Sequence, residues 1–375
     1  MRWFLALLVV IGIAVGGAWA AGLISFGSAP PSAPSQPVAS AAPTPAPAAP
    51  AAAPPAPTAQ PAGNDPLRPA DQPETRPVMQ LQVVLDRQGF SPGVIDDREG
   101  MTLTAALRGF QRAHDLTDSG QLDDPTKAAL AQWDRIPSTR TITVDADLAA
   151  GPFTGPIPHK PEDQARLSAL GYADLAEKIA ERYHTTADTI RALNPGFAPR
   201  AGAQVIVPNI AGGPVDSAPD DRGWRATLSA LGVAAEQPRA ARVVVDKSDK
   251  LLTAYDADDH VIAQFPVTIG STHDPLPLGR WEIRGIAHNP VFHYNPALFW
   301  DANASDRRLT LPPGPNSPVG VVWMDLSREH YGIHGTPEPR NIGRTESHGC
   351  VRLTNWDAAR LAQMVRSGVT VVFQA

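Results

Sequence analysis

The sequence predicts a multidomain protein in which a β-rich C-terminal domain follows two smaller units, one helical and one mixed α/β. Its 375 residues exceed the usual size of a single domain, which is about 100–200 residues. The 40 prolines are about twice the usual share, and no Asp, Glu, Lys or Arg lies between Arg2 and Asp65. Apolar residues at helical spacing follow that region, and strand-like apolar runs separated by turn residues begin near residue 239.

Residues 1–26 are predicted to be a signal peptide or a membrane anchor. Arg2 precedes an apolar run from Trp3 to Phe26, which is long enough to cross a bilayer at about 20 residues. The small-x-small site Ala18-Trp19-Ala20 would allow cleavage, so cleavage and anchoring both remain open. Either reading predicts export to the periplasm, and an uncleaved segment predicts attachment to the inner membrane. Residues 27–75, rich in Ala and Pro, are predicted to be a disordered linker.

The first globular unit, residues 76–135, is predicted to be a small helical bundle. Apolar residues recur at helical spacing before the helix-ending Gly89 and again around Phe110. The amino-acid sequence of the segment resembles that of the three-helix peptidoglycan-binding module. The resemblance is clearest in Gly89-Phe90-Ser91-Pro92-Gly93-Val94-Ile95-Asp96 and Phe110-Gln111. The segment departs from that family at Asp97, where the family usually has Gly. The resemblance implies binding to peptidoglycan.

The second unit, residues 160–212, is predicted to hold two helices and one strand. Helical spacing around Ile179 and Ile190 is followed by Asn194-Pro195-Gly196 and the strand-like Val205-Ile206-Val207-Pro208. This order is similar to the second part of a LysM module, an α/β unit that binds glycan. The expected entry into the first helix is replaced by residues 170–175, so glycan contact and a purely architectural role both remain open.

The third unit, residues 239–375, is predicted to be β-rich with one main helix. Its strand-like runs lie at residues 243–245, 251–255, 261–267 and 369–373. The helix begins near Thr354 with a capping-box-like Thr354-Asn355-Trp356-Asp357 and ends before Gly368.

Charge and cysteine content exclude several classes of function. The formal net charge of −6 and a pI near 5.9 give no basic surface for nucleic acid, so no nucleic-acid partner is expected. Cys350 is the single cysteine, which excludes an intrachain disulfide and any metal site built from two or more thiolates. No cofactor is expected.

Two short motifs near the C-terminus carry candidate chemistry: His334-Gly335-Thr336 and Ser347-His348-Gly349-Cys350-Val351-Arg352. A thiol becomes a strong nucleophile when a base takes its proton or a positive neighbour lowers its pKa. Because Gly349 has no side chain to block access, the backbone N–H groups of Gly349 and Cys350 could approach a developing oxyanion. The alternatives are a buried structural cysteine and a zinc site made by His334, His348 and Cys350.

These motifs resemble the YkuD family of L,D-transpeptidases, and the similarity extends over most of the third unit. It includes Leu311 to Gly320, Tyr331 to Thr336, Ser347 to Leu353 and the upstream Pro275-Leu276-Pro277-Leu278-Gly279. The resemblance implies a YkuD-type mixed β-sandwich with one main helix.

The same resemblance implies a role for each residue of the two motifs. Cys350 would be the nucleophile and His334 the base, with the Gly335 carbonyl holding the imidazole. His348 and Gly349 would line and shape the site. Arg352 would face a substrate carboxylate or steady the site electrostatically, and Ser347 would be a supporting hydroxyl or a turn residue.

The implied reaction cleaves a peptidoglycan tetrapeptide stem after residue three and transfers the acyl group to an amine. Stem peptides and glycan would be the partners, a wall-anchored protein could be the acceptor, and carbapenem-type β-lactams would be inhibitors. Water as acceptor would make the protein a carboxypeptidase. Two alternatives belong to other classes of function: a non-catalytic scaffold that binds the cell wall, and a zinc-dependent cell-wall hydrolase.

Overall fold

The computed structural model describes residues 76–218, 221–299, 302 and 307–375. The predicted signal or anchor and the predicted linker lie outside these residues. The described residues all belong to one compact unit. Within the described ranges, no helix is long and apolar enough to cross a membrane.

The first unit is a bundle of three helices, as predicted, and these are α1 (Pro77–Arg87), α2 (Met101–Ala113) and α3 (Asp124–Leu130). Asp97 has a φ of 64°, in the left-handed region that glycine favours and that Asp tolerates better than most residues. Its carboxylate accepts a hydrogen bond from the Met79 N–H (3.0 Å) and pairs with Arg76 (3.0 Å). These two contacts hold the loop in the conformation for which the family uses Gly.

The second unit contains two paired strands with helices between them. Its elements are β1 (Thr139–Thr143), α4 (Ala146–Ala149), α5 (Pro161–Gln164), α6 (Leu175–Arg182), α7 (Ala187–Leu193) and β2 (Gln204–Pro208). The two helices and the final strand lie where the sequence predicts them. The partner strand β1, antiparallel to β2, lies ahead of the predicted residue 160, and residues 144–174 connect it to α6.

A helix that the sequence analysis missed, α8 (Arg222–Ala230), precedes the third unit. The indole of its Trp224 is fully buried, stacks on His288 and donates a hydrogen bond to Gln363 at 2.9 Å. Because of these contacts α8 packs as part of the C-terminal core.

The third unit is built on an eight-stranded mixed sheet. The strands are β3 (Arg242–Asp246), β4 (Leu251–Tyr255), β5 (Val261–Pro266), β6 (Gly279–His288), β9 (Val322–Leu326), β10 (Gly332–His334), β11 (Val351–Arg352) and β12 (Thr370–Gln374), with β7 (Phe292–Tyr294) and β8 (Leu309–Leu311) forming a separate pair. The order across the sheet is β11-β10-β9-β6-β12-β3-β4-β5.

Strand β6 belongs to both halves of this sheet. Its first residues pair with β12 and its later residues pair with β9, with a shift in register between Ile283 and Gly285. Where the sequence analysis expects a mixed β-sandwich, the structure has one continuous, irregular sheet, with one half on each side of that shift.

The main helix of the third unit, α9 (Asn355–Met364), lies against the sheet. The Thr354 side chain accepts a hydrogen bond from the Asp357 N–H at 3.1 Å, which is the predicted cap. Nine of the ten residues of α9 are buried, because the helix also contacts the two preceding units.

The three units are joined by specific polar contacts and not only by their connecting segments. The backbone of Phe90, between α1 and α2, forms a bridge with Gln264 on β5, the edge strand of the sheet, and Ser91 donates to Asp357 of α9 at 2.7 Å. An edge strand has unpaired backbone groups, and here the first unit covers some of them. The first unit is thus docked on the third.

Candidate active site

The sheet topology brings together the two motifs singled out in the sequence. Strand β10 ends at His334, β11 ends at Arg352, and the two strands are parallel neighbours in which these residues are partners. On the other side of β11, Thr268 and Arg352 exchange backbone hydrogen bonds of 3.0 and 2.8 Å. The cysteine turn is thereby fixed beside the end of β10.

His334 is buried, with 3% of its surface exposed, and its ring orientation is defined by one hydrogen bond. Nδ1 lies 2.7 Å from the Gly335 carbonyl oxygen, which can only accept, so Nδ1 carries the proton and Nε2 has a free lone pair. The ring stacks on Trp323 at 5.3 Å. Burial and the nearby Arg352 cation lower the pKa of His334 to about 3, against the opposing effect of Gly335. The imidazole is therefore neutral at physiological pH and able to accept a proton.

Cys350 is partly exposed, and its thiol lies 3.8 Å from the His330 carbonyl oxygen. Burial raises the pKa of the thiol above its ordinary value, while the Gly332 N–H and the Arg352 cation act in the opposite direction. The resting form is a neutral thiol. Among the described residues no hydrogen bond joins this thiol to His334.

The turn that presents Cys350 is closed by Ser347. Its hydroxyl donates to the Cys350 carbonyl oxygen at 2.6 Å, and its N–H donates to Ile269 at 2.9 Å. Gly349 has a φ of 104°, and a Cβ there would lie 2.7 Å from the Tyr331 ring. Within the described part of the chain, the N–H groups of Gly349 and Cys350 have no hydrogen-bond acceptor. They are available to a developing negative charge.

His348 points to another side of the site. Its ring packs edge-on against Phe299 with centroids 4.9 Å apart. Together with Cys350 and His334 it was a candidate zinc ligand set, but these three side chains do not converge. Across the described ranges, the grouping of side chains close enough to hold a metal ion is Asp256, Asp258 and His260, on an exposed turn.

Arg352 faces a cavity of about 470 Å³. Burial lowers the pKa of its guanidinium, while Cys350 and Glu338 oppose that shift. Its Nε atom is buried and has no hydrogen-bond partner among the described residues. The cavity is lined from the third unit by polar side chains such as Thr336 and Glu338, and from the second unit by residues Ile157, Pro158, His159 and Gln164.

Sequence reasoning missed several residues that shape this site. Trp323, which stacks on His334, lies in a strand that no motif marked. Residues 157–164 lie far from both motifs in a segment without periodic apolar spacing. Asn355 was noticed only as part of a helix cap, whereas its side chain lies directly against Gly335. Glycine at positions 320 and 335, where a Cβ would collide with the Asn355 side chain, was the available signal in the sequence.

Comparison with known protein families gives two matches. The YkuD model, an L,D-transpeptidase catalytic domain, matches residues 240–373. The model described as "Putative peptidoglycan binding domain" matches residues 75–130, which contain the three-helix bundle.

Curated relatives agree with this assignment. "Putative L,D-transpeptidase YkuD" of Bacillus licheniformis is 27% identical over 198 residues, covering 52% of this chain and 90% of the relative. "Putative L,D-transpeptidase in ATP synthase subunits region ORF 5" of Fuscovulum blasticum is 30% identical over 188 residues, covering 47% of this chain and 92% of the relative.

Among solved structures, an L,D-transpeptidase from Mycobacterium smegmatis is 22% identical with a TM-score of 0.29, over 36% of this chain and 58% of that chain. The match thus spans less than two thirds of that protein. The 30% identity across nearly the full length of the Fuscovulum blasticum relative, together with the YkuD match over residues 240–373, shows that this chain belongs to the YkuD family of L,D-transpeptidases.

Proposed function

We propose that this protein uses Cys350 to transfer acyl groups between peptidoglycan stem peptides in the periplasm. The observation that carries the proposal is the orientation of His334. The Gly335 carbonyl accepts a hydrogen bond from the Nδ1–H of His334, which leaves Nε2 as a neutral base beside the turn that carries Cys350, the only cysteine in the chain.

In the first step, the thiol of Cys350 attacks the carbonyl carbon of residue three of a tetrapeptide stem, and its proton passes to Nε2 of His334. The N–H groups of Gly349 and Cys350 receive the negative charge that develops on the carbonyl oxygen. The C–N bond then breaks, and the leaving D-amino acid takes the proton from the imidazolium. A thioester on Cys350 remains.

In the second step, an amine of another stem attacks the thioester and gives its proton to His334. The C–S bond breaks and the sulfur recovers a proton from the imidazolium, which regenerates the starting thiol. The product is a cross-link between two third-position residues. An amine on a wall-anchored protein would instead attach that protein to the wall.

The remaining predicted residues support this chemistry from the edges of the site. Arg352 would bind a carboxylate of the donor stem in the adjoining cavity, because its buried Nε has no partner of its own among the described residues. Ser347 holds the nucleophile turn through the Cys350 carbonyl, and His348 lines the side near Phe299. The same site would accept carbapenem-type β-lactams as acylating inhibitors.

The two smaller units would bring this site to the cell wall. The family match supports peptidoglycan binding by the three-helix unit. In the second unit, strands β1 and β2 pair with each other, and helices α6 and α7 lie between them in the chain. This arrangement supports a LysM-like assignment in which residues 144–174 are inserted after the first strand. Binding to a polymer that carries many stems would raise the local concentration of donor and acceptor.

The test is a product analysis with the full-length protein and purified disaccharide tetrapeptide, read by mass. The proposal expects dimers joined between third-position residues, absent with C350A and strongly reduced with H334A. Tripeptide without dimer would indicate water as the acceptor. Intact substrate with folded wild-type protein would contradict the proposal and favour a scaffold.

A further inference from the structure

Glu181 of the second unit is a buried acid that reaches the catalytic unit. It lies on α6 with 5% of its surface exposed, and its Oε1 and Oε2 accept hydrogen bonds from Asn355 Nδ2 at 3.0 and 3.3 Å. Tyr172, in the segment before α6, donates to Oε2 at 3.4 Å. Burial, reinforced by the neighbouring Glu177, raises the pKa of Glu181 to about 8 against the effects of Asn355 and Tyr172. The side chain is therefore a neutral carboxylic acid at physiological pH.

Asn355, the first residue of α9, is fully buried and has a fixed amide orientation. Nδ2 donates to Glu181 and also to the Pro315 carbonyl at 3.0 Å, while Oδ1 accepts from the Val321 N–H at 3.3 Å. Two acceptors on one side and a donor on the other allow only one orientation of the amide.

The oxygen of that amide packs against the glycines beside the catalytic histidine. A Cβ on Gly320 would lie 2.0 Å from Asn355 Oδ1, and a Cβ on Gly335 would lie 2.3 Å from it. There is no space for the amide to move without displacing these two backbone segments. Gly335 is the residue whose carbonyl fixes the His334 tautomer.

We infer that Glu181 is a positioning residue for the reaction, acting through Asn355 and Gly335 on His334. The second unit then completes the active site of the third, in addition to any part it plays in wall binding. This inference rests on the proposed function. It assigns to the second unit a task that would persist even on soluble substrates.

The test compares two substitutions of Glu181 in the full-length protein. E181M fills a similar volume without accepting a hydrogen bond, so it should fold while releasing the amide. E181Q retains a carbonyl acceptor for Asn355 Nδ2 and resembles the neutral acid. The matched control is T185V, which removes another buried hydrogen bond between units, from Thr185 to the Ile95 carbonyl at 2.6 Å.

The first readout is the rate of Cys350 acylation by a carbapenem, followed by intact mass, and the second is kcat and KM for the tetrapeptide. Because a small misplacement of a catalytic group lowers the reaction rate strongly, E181M should be acylated about 10–100-fold more slowly, and its kcat should fall with little change in KM. E181Q should stay within about threefold of wild type, and the acid limb of the pH–rate profile should move in E181M but not in T185V.

Equal acylation rates for folded E181M and T185V would overturn the inference while leaving the proposed function intact. The same holds if E181M and E181Q lose activity to the same extent, because the hydrogen-bond acceptor would then be irrelevant. Wild-type protein that is neither acylated nor active on tetrapeptide would instead overturn the proposed function and this inference with it.

Discussion

Asp86 on the first helix and Arg360 on the last form a buried ion pair with two parallel hydrogen bonds of 3.0 Å each. The carboxylate also contacts His184 Nδ1 at 3.0 Å, and His184 Nε2 lies 3.0 Å from the Leu231 carbonyl oxygen. Both neighbours of the ring are acceptors, so the pattern is complete only when both nitrogens carry protons. One residue from each unit thus meets in a single charged cluster.

Removing the anion from this cluster should destabilise the whole described unit. D86N leaves Arg360 buried without its partner, which costs about 3–5 kcal/mol in comparable buried pairs. Although burial opposes ionisation, Arg360 and His184 outweigh it and hold the pKa of Asp86 well below its usual range. Urea unfolding measured by circular dichroism checks the prediction.

The matched control is D163N, which removes the exposed pair between Asp163 on α5 and Arg166. Exposed pairs contribute about 0–1 kcal/mol, so D163N should unfold close to wild type. Similar midpoints for D86N and D163N would show that the cluster does not hold the units together.

Gly349 should be indispensable for acylation. An Ala there would be forced into a φ of 104°, with its Cβ 2.7 Å from Tyr331, so the nucleophile turn would have to move. G349A is expected to acylate about 100-fold more slowly with a β-lactam, as judged by intact mass. G368A is the control, because Gly368 has a φ of 87° with nothing within 4 Å of its Cβ position. Its backbone strain should cost about 1–2 kcal/mol of stability without slowing acylation, and a comparable slowing in G368A would assign the G349A effect to strain alone.

The free enzyme should alkylate as a thiol and not as a stable thiolate. Because burial raises the pKa of Cys350, its reaction with iodoacetamide should be slow at pH 7 and should still be rising above pH 9. C350A supplies the background, since the chain has no other cysteine. A rate that already reaches its plateau below pH 7 would instead indicate a preformed thiolate–imidazolium pair.

The stability of the protein should fall as the pH rises from about 6.5 to 8. Glu181 has a folded-state pKa of about 8, well above the ordinary value for Glu in an unfolded chain, so its contribution is complete below the unfolded pKa and is lost as pH rises through 8. Below about pH 6.5, Asp357, whose pKa burial raises to about 6, acts in the same direction, while His334, whose pKa is lowered to about 3, acts in the opposite direction. Urea unfolding at pH 6.5 and pH 8 should differ by about 1–2 kcal/mol, and E181Q should show a smaller difference. An unchanged pH dependence in E181Q would contradict the assignment.

The sequence was most informative where one physical signal dominates. Continuous apolar runs such as Leu251 to Tyr255 became central strands, and the Thr354 cap began the predicted helix. The two motifs predicted to carry the chemistry lie side by side because the strands next to them, β10 and β11, are parallel neighbours.

The elements that were missed lack such a signal. Strand β1, Thr-Arg-Thr-Ile-Thr, is half exposed and mostly polar. Strand β6 has one buried residue, Ile283, among exposed and half-buried ones, and its register shifts just after that residue. The docking of the units was also unforeseen, because Asp86, Glu181 and His184 have the residue types of a solvated surface. Only long-range partners on other units explain their burial.

The most direct measurement of the central claim is a rapid-quench mass spectrum of the full-length protein mixed with disaccharide tetrapeptide. We predict an adduct on Cys350 with the mass of the stem after loss of its terminal D-amino acid, which accumulates when the amine acceptor is withheld and is absent from C350A. Turnover of the tetrapeptide by C350A, or product formation by wild type with no Cys350 adduct at any time, would contradict the account.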